Sequence, residues 1–284
     1  MSTRRKFIKA TTVGMAASVI SPRISSGTAF APFSKTATKS PLNLGIAGYT
    51  FAKYSIEQSI AIMQRVGIKA LSIKDFHLPL DCTNEKAKEV KAKFESAGIT
   101  IYAAGVIYMK TNEEVDRAFD YVQRVGLNMI IGSPTIEMLP YVEKKIKLTG
   151  IRMAIHNHGP EDKLYAGPKE IFDQIKSLDS RLGICLDIGH CTRALQNPVK
   201  SVMQYNSRIF DLHIKDLLKA IPEETPTELG RGIIDIPGLL QALYKISFTG
   251  MCSIEFERDM TDSLPGIAES AGYFRGVNKM LSLQ

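Results

Sequence analysis

The chain has 284 residues and a formal net charge of +7, and 44% of its residues are hydrophobic. This length allows one large α/β domain or two small ones, and the apolar content is enough for a sizeable core. Five basic residues and no acid lie in residues 1–31, so the rest of the chain holds 31 basic and 29 acidic residues. A body this close to neutral lacks the basic surface of a nucleic-acid-binding protein, and no such partner is predicted.

The N-terminal segment resembles a twin-arginine signal peptide. Thr3–Lys9 (TRRKFIK) contain paired arginines, a weakly apolar run follows, and Ala29–Ala31 (AFA) offer a small-x-small cleavage site. The apolar run is about 11 residues, too short to span a bilayer, so no stable membrane association is expected after cleavage. We predict a signal peptide over 1–31, a linker over 32–41 and export to the periplasm of a bacterium; a basic disordered tail is the alternative.

Short apolar runs alternate with amphipathic helical patterns from residue 42 onward. The predicted strands cover residues 44–51, 70–76, 100–107, 128–133, 152–158, 182–190, 208–216 and 251–257. Three intervening helical patterns end at Gly67, Gly98 and Gly126, and glycine is common just beyond a helix. Eight strand–helix units predict an α/β fold, a single (β/α)8 TIM barrel, which we place over 42–284.

A doubly wound open sheet is the competing architecture, because it too alternates strands with helices. Such a sheet usually carries a G-x-G-x-x-G loop after its first strand, and residues 45–51 (GIAGYTF) do not match that pattern. No linker-like stretch divides the body into two domains, which favours the barrel.

The four cysteines are Cys82, Cys185, Cys191 and Cys252, and none forms a C-x-x-C motif. Cys185 and Cys252 lie within apolar runs and are predicted to be buried thiols. An oxidising compartment would permit a disulfide, although the sequence assigns no pairing. This spacing does not favour a zinc–thiolate site.

All five histidines follow or end predicted strands, where barrel enzymes keep their catalytic residues. They are His77, His156, His158, His190 and His213. The acidic residues near strand ends include Asp187, Glu255 and Glu257. Any one histidine alone can be a satisfied core residue, but their shared placement predicts a metal or acid–base site.

The direction of these side chains follows from strand geometry, because residues two positions apart point to the same face. The pairs that share a face are His156 with His158, His213 with Lys215, and Glu255 with Glu257. Asp187 and His190 are three apart, so they share a direction only if the chain turns at Gly189, which glycine permits. We therefore expect these side chains to meet in the barrel mouth.

The expected cofactor is one divalent metal ion held by His156, Asp187, His213 and Glu255. Imidazole and carboxylate together suit a borderline cation such as Mn²⁺, Zn²⁺, Co²⁺ or Fe²⁺, whereas Mg²⁺ alone prefers oxygen ligands. Such an ion polarises a carbonyl and stabilises an enediolate. A carboxylate or histidine within hydrogen-bond reach then abstracts the neighbouring proton.

Four segments in this order and spacing resemble the xylose isomerase-like sugar phosphate isomerase/epimerase superfamily. They are LGICLDIGH (182–190), DLHIKD (211–216), ELGRGIID (228–235) and CSIEFE (252–257). The resemblance covers about residues 42–282. It implies a (β/α)8 barrel with one divalent metal, often manganese, bound by Glu, Asp, His and Glu at the ends of the fifth to eighth strands.

The resemblance assigns these positions residue by residue. Asp187, His213 and Glu255 match the Asp, the His and the last Glu, while residues 156–159 read HNHG where the family has an ENHG-like segment. His156 therefore occupies the place of the first glutamate, and Mn²⁺ or Zn²⁺ is the expected ion. Positions that match those near substrate or metal are His158 and His190, and those that match contacts to substrate hydroxyls or phosphate are Lys215 and Arg231.

The departure at His156 bears on the reaction. In the family's ketose 3-epimerases, the first and last glutamates exchange a proton on opposite faces of the substrate. With imidazole at His156, Glu255 is the remaining base, and it suits a 1,2-isomerisation or a β-elimination. Other groups that can supply a second base are His158, Lys74 and Glu257. A hydrogen-bonding strand histidine without a metal is the structural alternative for His156.

Further side chains near strand ends are candidate substrate contacts with structural alternatives. Lys74 can act on the substrate or pair with Asp75 on the rim. Arg231 lies between glycines, and we favour contact with the substrate over capping of a helix. The other predicted substrate contacts are His77 and Glu257. The aromatic residues that can wall a sugar site or pack in the core are Tyr49, Phe51 and Tyr108.

The predicted function is a metal-dependent sugar isomerase or epimerase with Glu255 and His158 as catalytic residues. Its partner would be a small-molecule sugar or keto-sugar, free or glycosidic because of the predicted export, and a homo-oligomer is compatible with the sequence. The alternatives are a 3-keto-glycoside lyase acting by β-elimination, a non-catalytic sugar-binding barrel and an endonuclease-IV-like phosphodiesterase. The last needs a trinuclear zinc site and a basic surface, which the near-neutral body does not favour.

Overall fold

The computed structural model describes residues 40–283, so the predicted signal peptide lies outside the described residues. The predicted linker overlaps the described residues only at Ser40 and Pro41. Within the described part of the chain, no helix has the length and apolar character needed to cross a membrane.

Ten strands are described, and eight of them form the barrel. They are β1 (Asn43–Ala47), β2 (Ala70–Ile73), β3 (Thr100–Met109), β4 (Met129–Pro134), β5 (Arg152–His156), β6 (Leu182–Asp187), β7 (Ile209–Ile214), β8 (Asp216–Leu217), β9 (Pro226–Thr227) and β10 (Met251–Ile254). The parallel strands close in the order β1-β10-β7-β6-β5-β4-β3-β2, and β8 pairs with β9 as a separate antiparallel ladder. The predicted (β/α)8 barrel is confirmed.

Helices connect the barrel strands and cover their outer surface. They are α1 (Ile56–Val66), α2 (Asn84–Ser96), α3 (Asn112–Val125), α4 (Leu139–Thr149), α5 (Pro168–Ile175), α6 (Ile188–Arg193), α7 (Pro198–Gln204), α8 (Ile236–Lys245) and α9 (Leu264–Ser282). Short 3-10 turns occur at Gly48–Phe51, Ile136–Met138 and Asn206–Arg208. The glycines predicted just beyond helices, Gly67, Gly98 and Gly126, all have positive φ, where glycine is favoured.

Two layers of apolar side chains hold this architecture together. The larger lies between the strands and the helices, where the buried face of α3 includes Phe119 and Val122. Each such fully buried side chain contributes about 1.5–3 kcal/mol relative to its exposed state. The smaller cluster fills the barrel interior and comprises Ala103, Val106, Met129, Ile131, Ala154 and Cys185. Cys185 and Cys252 are buried, as predicted.

Six of the eight predicted strands end earlier than their apolar patterns indicate, and two of these ends have a local structural cause. The first stops at Ala47, because Gly48 approaches the backbone of β2 so closely that a Cβ there would lie 2.4 Å from the Ser72 carbonyl oxygen. The sixth stops at Asp187, whose side chain accepts a hydrogen bond from the His190 N–H and begins α6. Both ends lie at the carboxyl rim of the barrel, where the candidate site is located.

Candidate metal centre

The four predicted metal ligands converge at the carboxyl end of the barrel. His156, Asp187 and His213 stand at or near the ends of β5, β6 and β7, and Glu255 directly follows β10. One nitrogen or oxygen donor from each residue lies within 4.8 Å of the other three, and all four residues are buried. Strand register produces this meeting, since Asp187 lies opposite His213 in neighbouring strands.

The donor atoms face one another at short range. His156 Nε2 lies 3.0 Å from His213 Nδ1 and 3.5 Å from Asp187 Oδ2. His213 Nδ1 lies 3.3 Å from Glu255 Oε1. Two imidazole nitrogens and two carboxylate oxygens at this spacing require a shared proton or a cation between them. The donor set therefore fits a borderline divalent metal.

Asn157 fixes the position of Asp187. Its side-chain amide donates to the Asp187 carbonyl oxygen at 3.0 Å and accepts from the Asp187 N–H at 2.9 Å. Asn157 is fully buried, and strand alternation turns it away from the face shared by His156 and His158. Its amide thus ties β6 to the chain just beyond β5 and orients a candidate ligand, as outer-shell groups commonly do in metal sites.

Lys215 is the positive charge at the cluster. Its Nζ lies 2.6 Å from Glu255 Oε2, 2.5 Å from Glu257 Oε1 and 3.0 Å from Asp187 Oδ2. Burial acts to lower the pKa of Lys215, but the three carboxylates outweigh it and raise that pKa well above its ordinary value. Burial alone would raise the pKa of Glu255, but the nearby Lys215 and His213 hold that pKa well below its usual range. Lys215, predicted as a substrate contact, therefore binds carboxylates in this structure.

His158 and His190 surround the cluster on its open side. The His156 ring centre lies 4.7 Å from that of His158 and 5.9 Å from that of His190. His158 contacts the Tyr108 hydroxyl through Nε2 at 3.0 Å and Asp162 through Nδ1 at 3.2 Å. Burial lowers the pKa of His158, and it lowers that of His190 to about 4. Both imidazoles are therefore neutral at pH 7.

A cavity of about 280 Å³ opens above the cluster. Beside the cluster residues, its lining includes Tyr49, Lys74, Tyr108, His158, His190 and Glu257. The two tyrosines are exposed and present aromatic faces, whereas Phe51 is fully buried and belongs to the core. Lys74 lines the cavity and also pairs with Asp75 at 2.8 Å, so both of its predicted contacts are compatible with its position.

Two predicted site residues are not brought to the cluster. His77 Nε2 contacts the Ser59 hydroxyl at 3.3 Å and the Tyr54 carbonyl oxygen at 3.2 Å, which ties the loop after β2 to the region of α1. The loop turns back against that helix, so this histidine is packed away from the rim. Its predicted role as a substrate contact has no support in these contacts.

Arg231 is the other predicted site residue that lies elsewhere. Its guanidinium forms a two-pronged pair with Glu269 of α9, at 2.5 and 2.6 Å, and also approaches Glu228. Neither partner belongs to the cluster or lines the cavity above it. The side chain is half-exposed at 55%, so the prediction of a substrate contact is not supported.

Asp216 explains the glycine-containing motif around Arg231. Its buried carboxylate accepts hydrogen bonds from the N–H groups of Gly230, Gly232 and Ile234, each at 3.0 Å. A Cβ at Gly232 would lie 2.2 Å from Asp216 Oδ1, so the loop requires glycine there. This role was not predicted from the sequence. Its signal was an aspartate directly after residues 213–215 (HIK), followed by Gly230 and Gly232.

Comparisons with known proteins identify the family. A model described as xylose isomerase-like TIM barrel matches residues 135–277, half of the chain, and this segment contains all four cluster residues. The rhizopine catabolism protein MocC of Rhizobium meliloti is 24% identical over 131 residues, which is 41% of this chain and 40% of that protein. The 3-oxo-isoapionate decarboxylase of Pectobacterium atrosepticum is 34% identical over 82 residues, which is 26% of this chain and 30% of that protein.

These matches span less than half of either curated relative, whereas one solved structure matches over nearly its whole length. A 3-keto-D-glucoside 4-epimerase from E. coli has a TM-score of 0.68 at 15% identity, with coverage of 83% of this chain and 99% of that one. At this identity the likeness shows the fold alone. Together with the family model it confirms the resemblance seen in the sequence: the chain belongs to the xylose isomerase-like TIM barrel family.

Proposed function

We propose that this protein is a divalent-metal-dependent isomerase or epimerase of a sugar or keto-sugar. The observation that carries the proposal is the buried convergence of two imidazoles and two carboxylates beneath an open cavity. His156, Asp187, His213 and Glu255 would hold the ion, and Mn²⁺ or Zn²⁺ suits these donors. When bound, the ion would polarise the substrate carbonyl and stabilise negative charge on its oxygen.

The residues around the ion supply the proton chemistry. Glu255 lines the cavity and would accept a proton from the carbon next to the carbonyl, and its hydrogen bond from Lys215 keeps it ionised. His158 is neutral at pH 7 and hydrogen-bonded to the Tyr108 hydroxyl, which lets it act as a second acid–base group on the cavity side. Glu257 and Lys74 line the same cavity and would bind substrate hydroxyls.

The lining of the cavity supports a sugar-like substrate. Tyr49 and Tyr108 expose aromatic faces, and the polar side chains around them offer both donors and acceptors. A small number of convergent polar groups beside an aromatic surface is typical of small-molecule binding sites. The predicted export to the periplasm favours a free or glycosidic sugar over a phosphorylated one.

Keto-sugar lyase activity is the second candidate, and His156 is the observation that favours it. An imidazole stands where a two-base epimerase would place its first glutamate, which leaves Glu255 as the one glutamate base among the candidate ligands. A single base suffices for β-elimination from a 3-keto-glycoside. One curated relative is named a decarboxylase of a 3-oxo sugar acid, and a fold neighbour is named an epimerase of a 3-keto-glucoside.

The remaining alternatives have less support. Within residues 40–283 the largest group of candidate ligands numbers four, whereas a trinuclear zinc phosphodiesterase needs more. A non-catalytic sugar-binding barrel would not need four buried metal-ligand atoms that converge on one point. These observations favour an enzyme.

The proposal is tested by metal analysis and isotope exchange. The mature protein, reconstituted with Mn²⁺ or Zn²⁺, is incubated in D₂O with a panel of sugars and 3-keto-glycosides and followed by NMR. Exchange at one carbon with a new stereoisomer would support epimerisation, a ketose–aldose pair isomerisation, and loss of the aglycone elimination. Glu255→Gln should abolish the exchange and Arg231→Gln should preserve it, because Arg231 pairs with Glu269 outside the cluster. Failure of the wild type to bind either metal would overturn the proposal.

A further inference from the structure

Cys185 lies beneath the candidate metal centre on β6. It precedes Asp187 by two residues, so its side chain shares the inward face of that strand but lies about 7 Å further back along the strand. In the register of the barrel it is opposite His156 of β5. The thiol is fully buried and belongs to the interior cluster.

Three strands bring a second set of donor atoms together around this thiol. Cys185 Sγ and one nitrogen each from His156 and His213 lie within 4.8 Å of one another, and all three residues are buried. This set excludes the carboxylates of the upper cluster and contains the only sulfur donor in the ligand groups of the described chain.

Both imidazoles have nitrogens without hydrogen-bond partners. His156 turns Nε2 and His213 turns Nδ1 toward the upper cluster, where these two atoms lie 3.0 Å apart. The opposite nitrogens, His156 Nδ1 and His213 Nε2, are buried and have no hydrogen-bond partner among the described residues. Buried polar atoms without partners are uncommon, and an unoccupied ligand position is one explanation for them.

We propose that His156, Cys185 and His213 form a second metal site, deeper than the first, for a thiophilic divalent ion such as Zn²⁺. One thiolate and two imidazoles are a ligand set that Zn²⁺ accepts in tetrahedral geometry, with a fourth position left for water. Binding releases the thiol proton to solvent, because the thiolate is the ligand. The upper set, with two carboxylates, suits a harder ion such as Mn²⁺.

The two sites share the imidazoles of His156 and His213, so occupation of one affects the other. Zn²⁺ suits both donor sets, whereas Mn²⁺ suits the upper one. The cysteine spacing in the sequence gave no sign of this site, because its ligands come from three separate strands rather than from a C-x-x-C motif.

Cobalt provides the test, since Co²⁺ substitutes for Zn²⁺ and its bond to a thiolate gives a near-ultraviolet charge-transfer band. The reduced mature protein is titrated anaerobically with Co²⁺. We expect the band in the wild type, its loss in Cys185→Ser and its persistence in Cys191→Ser, whose buried thiol contacts Gln196 and Ser201 instead. Added Zn²⁺ should bleach the band by displacement.

Glu255→Gln separates this site from the upper one. Because Glu255 belongs to the upper set alone, the band should persist in this variant even though the upper site is damaged. Absence of the band in the wild type, its survival in Cys185→Ser or its loss in Glu255→Gln would overturn the proposal. X-ray absorption of the Zn²⁺-loaded wild type gives a variant-free check, in which a Zn–S distance of about 2.3 Å is expected and its absence is contradictory.

Discussion

Lys215 Nζ lies 2.6 Å from Glu255 Oε2, and both side chains are buried. The same ammonium also contacts Asp187 and Glu257, so one cation is shared by three carboxylates. Two of those carboxylates are candidate metal ligands. Lys215 therefore stabilises them in the metal-free protein. The stability of the metal-free protein should therefore depend on this side chain.

Replacing this lysine with an apolar residue of similar length tests that dependence. Lys215→Met should lower the free energy of unfolding of the metal-free protein by about 3–5 kcal/mol, the usual cost of removing one partner from a buried ion pair. Urea denaturation in the presence of a chelator measures the change, and saturating Mn²⁺ should restore part of the loss. Lys93→Met is the control, because Lys93 pairs with Glu57 and Glu89 at the surface. An equal loss in both variants would contradict the expectation.

Asn157 should control metal affinity without touching the ion. Asn157→Ala removes both hydrogen bonds to the Asp187 backbone, and the affinity for Mn²⁺ is expected to fall by about 10–100-fold, as for other outer-shell groups. Isothermal titration calorimetry measures the affinity. Asn197→Ala is a matched control, since Asn197 caps α7 and its loss lowers stability without reaching the centre. An unchanged Mn²⁺ affinity in Asn157→Ala would show that Asn157 does not orient Asp187 for metal binding.

The lowered pKa of His190 predicts that the free energy of unfolding decreases at acid pH. Burial lowers the pKa of His190 from 6.5 to about 4, so between these pH values the unfolded chain binds a proton that the folded chain does not. Stability is then fully present above pH 6.5 and falls as the pH decreases toward 4, by about 3 kcal/mol from this group. In His190→Gln that contribution should disappear. Urea denaturation of the metal-free protein at pH 4–8 gives the profile, and identical acid limbs in both proteins would refute the assignment.

Placing at position 156 the carboxylate that the sequence resemblance implies there tests the proposed reaction. His156→Glu should still bind Mn²⁺, since glutamate is also a ligand, and it supplies a base on the second face of the substrate. We expect deuterium exchange at the carbon next to the carbonyl to yield both stereoisomers in this variant. His156→Gln is the control, because it has the same length and no base. Equal product stereochemistry in both variants would show that residue 156 does not govern the face of proton transfer.

Much of the fold followed from the sequence because barrel strands are buried on both faces and leave continuous apolar runs. The position of the cluster followed too, since strand ends and alternation placed His156, Asp187, His213 and Glu255 at one rim. His77 was misplaced because position after a strand does not reveal that a loop folds back, as this one does to reach the Tyr54 carbonyl oxygen.

Contacts between distant segments were not predictable from spacing. Alternation gave the direction of Lys215, but its carboxylate partners Glu255 and Glu257 lie 40 and 42 residues away, beyond any local pattern. The two-residue ladder of β8 and β9 was missed for a related reason, because such short strands leave no alternation to detect. The meeting of Cys185 with two histidines likewise depends on strand register.

The carboxylate of Asp216 has a consequence for protein engineering. Together with the pairing of Leu217 to Pro226, it anchors both ends of the loop over 218–225. The middle of that loop borders a cavity shared with His190, Lys215 and Glu257. A randomised library in 219–224 would therefore change the wall that a substrate substituent meets while leaving every candidate ligand in place, and selection on it should evolve substrate preference separately from metal chemistry.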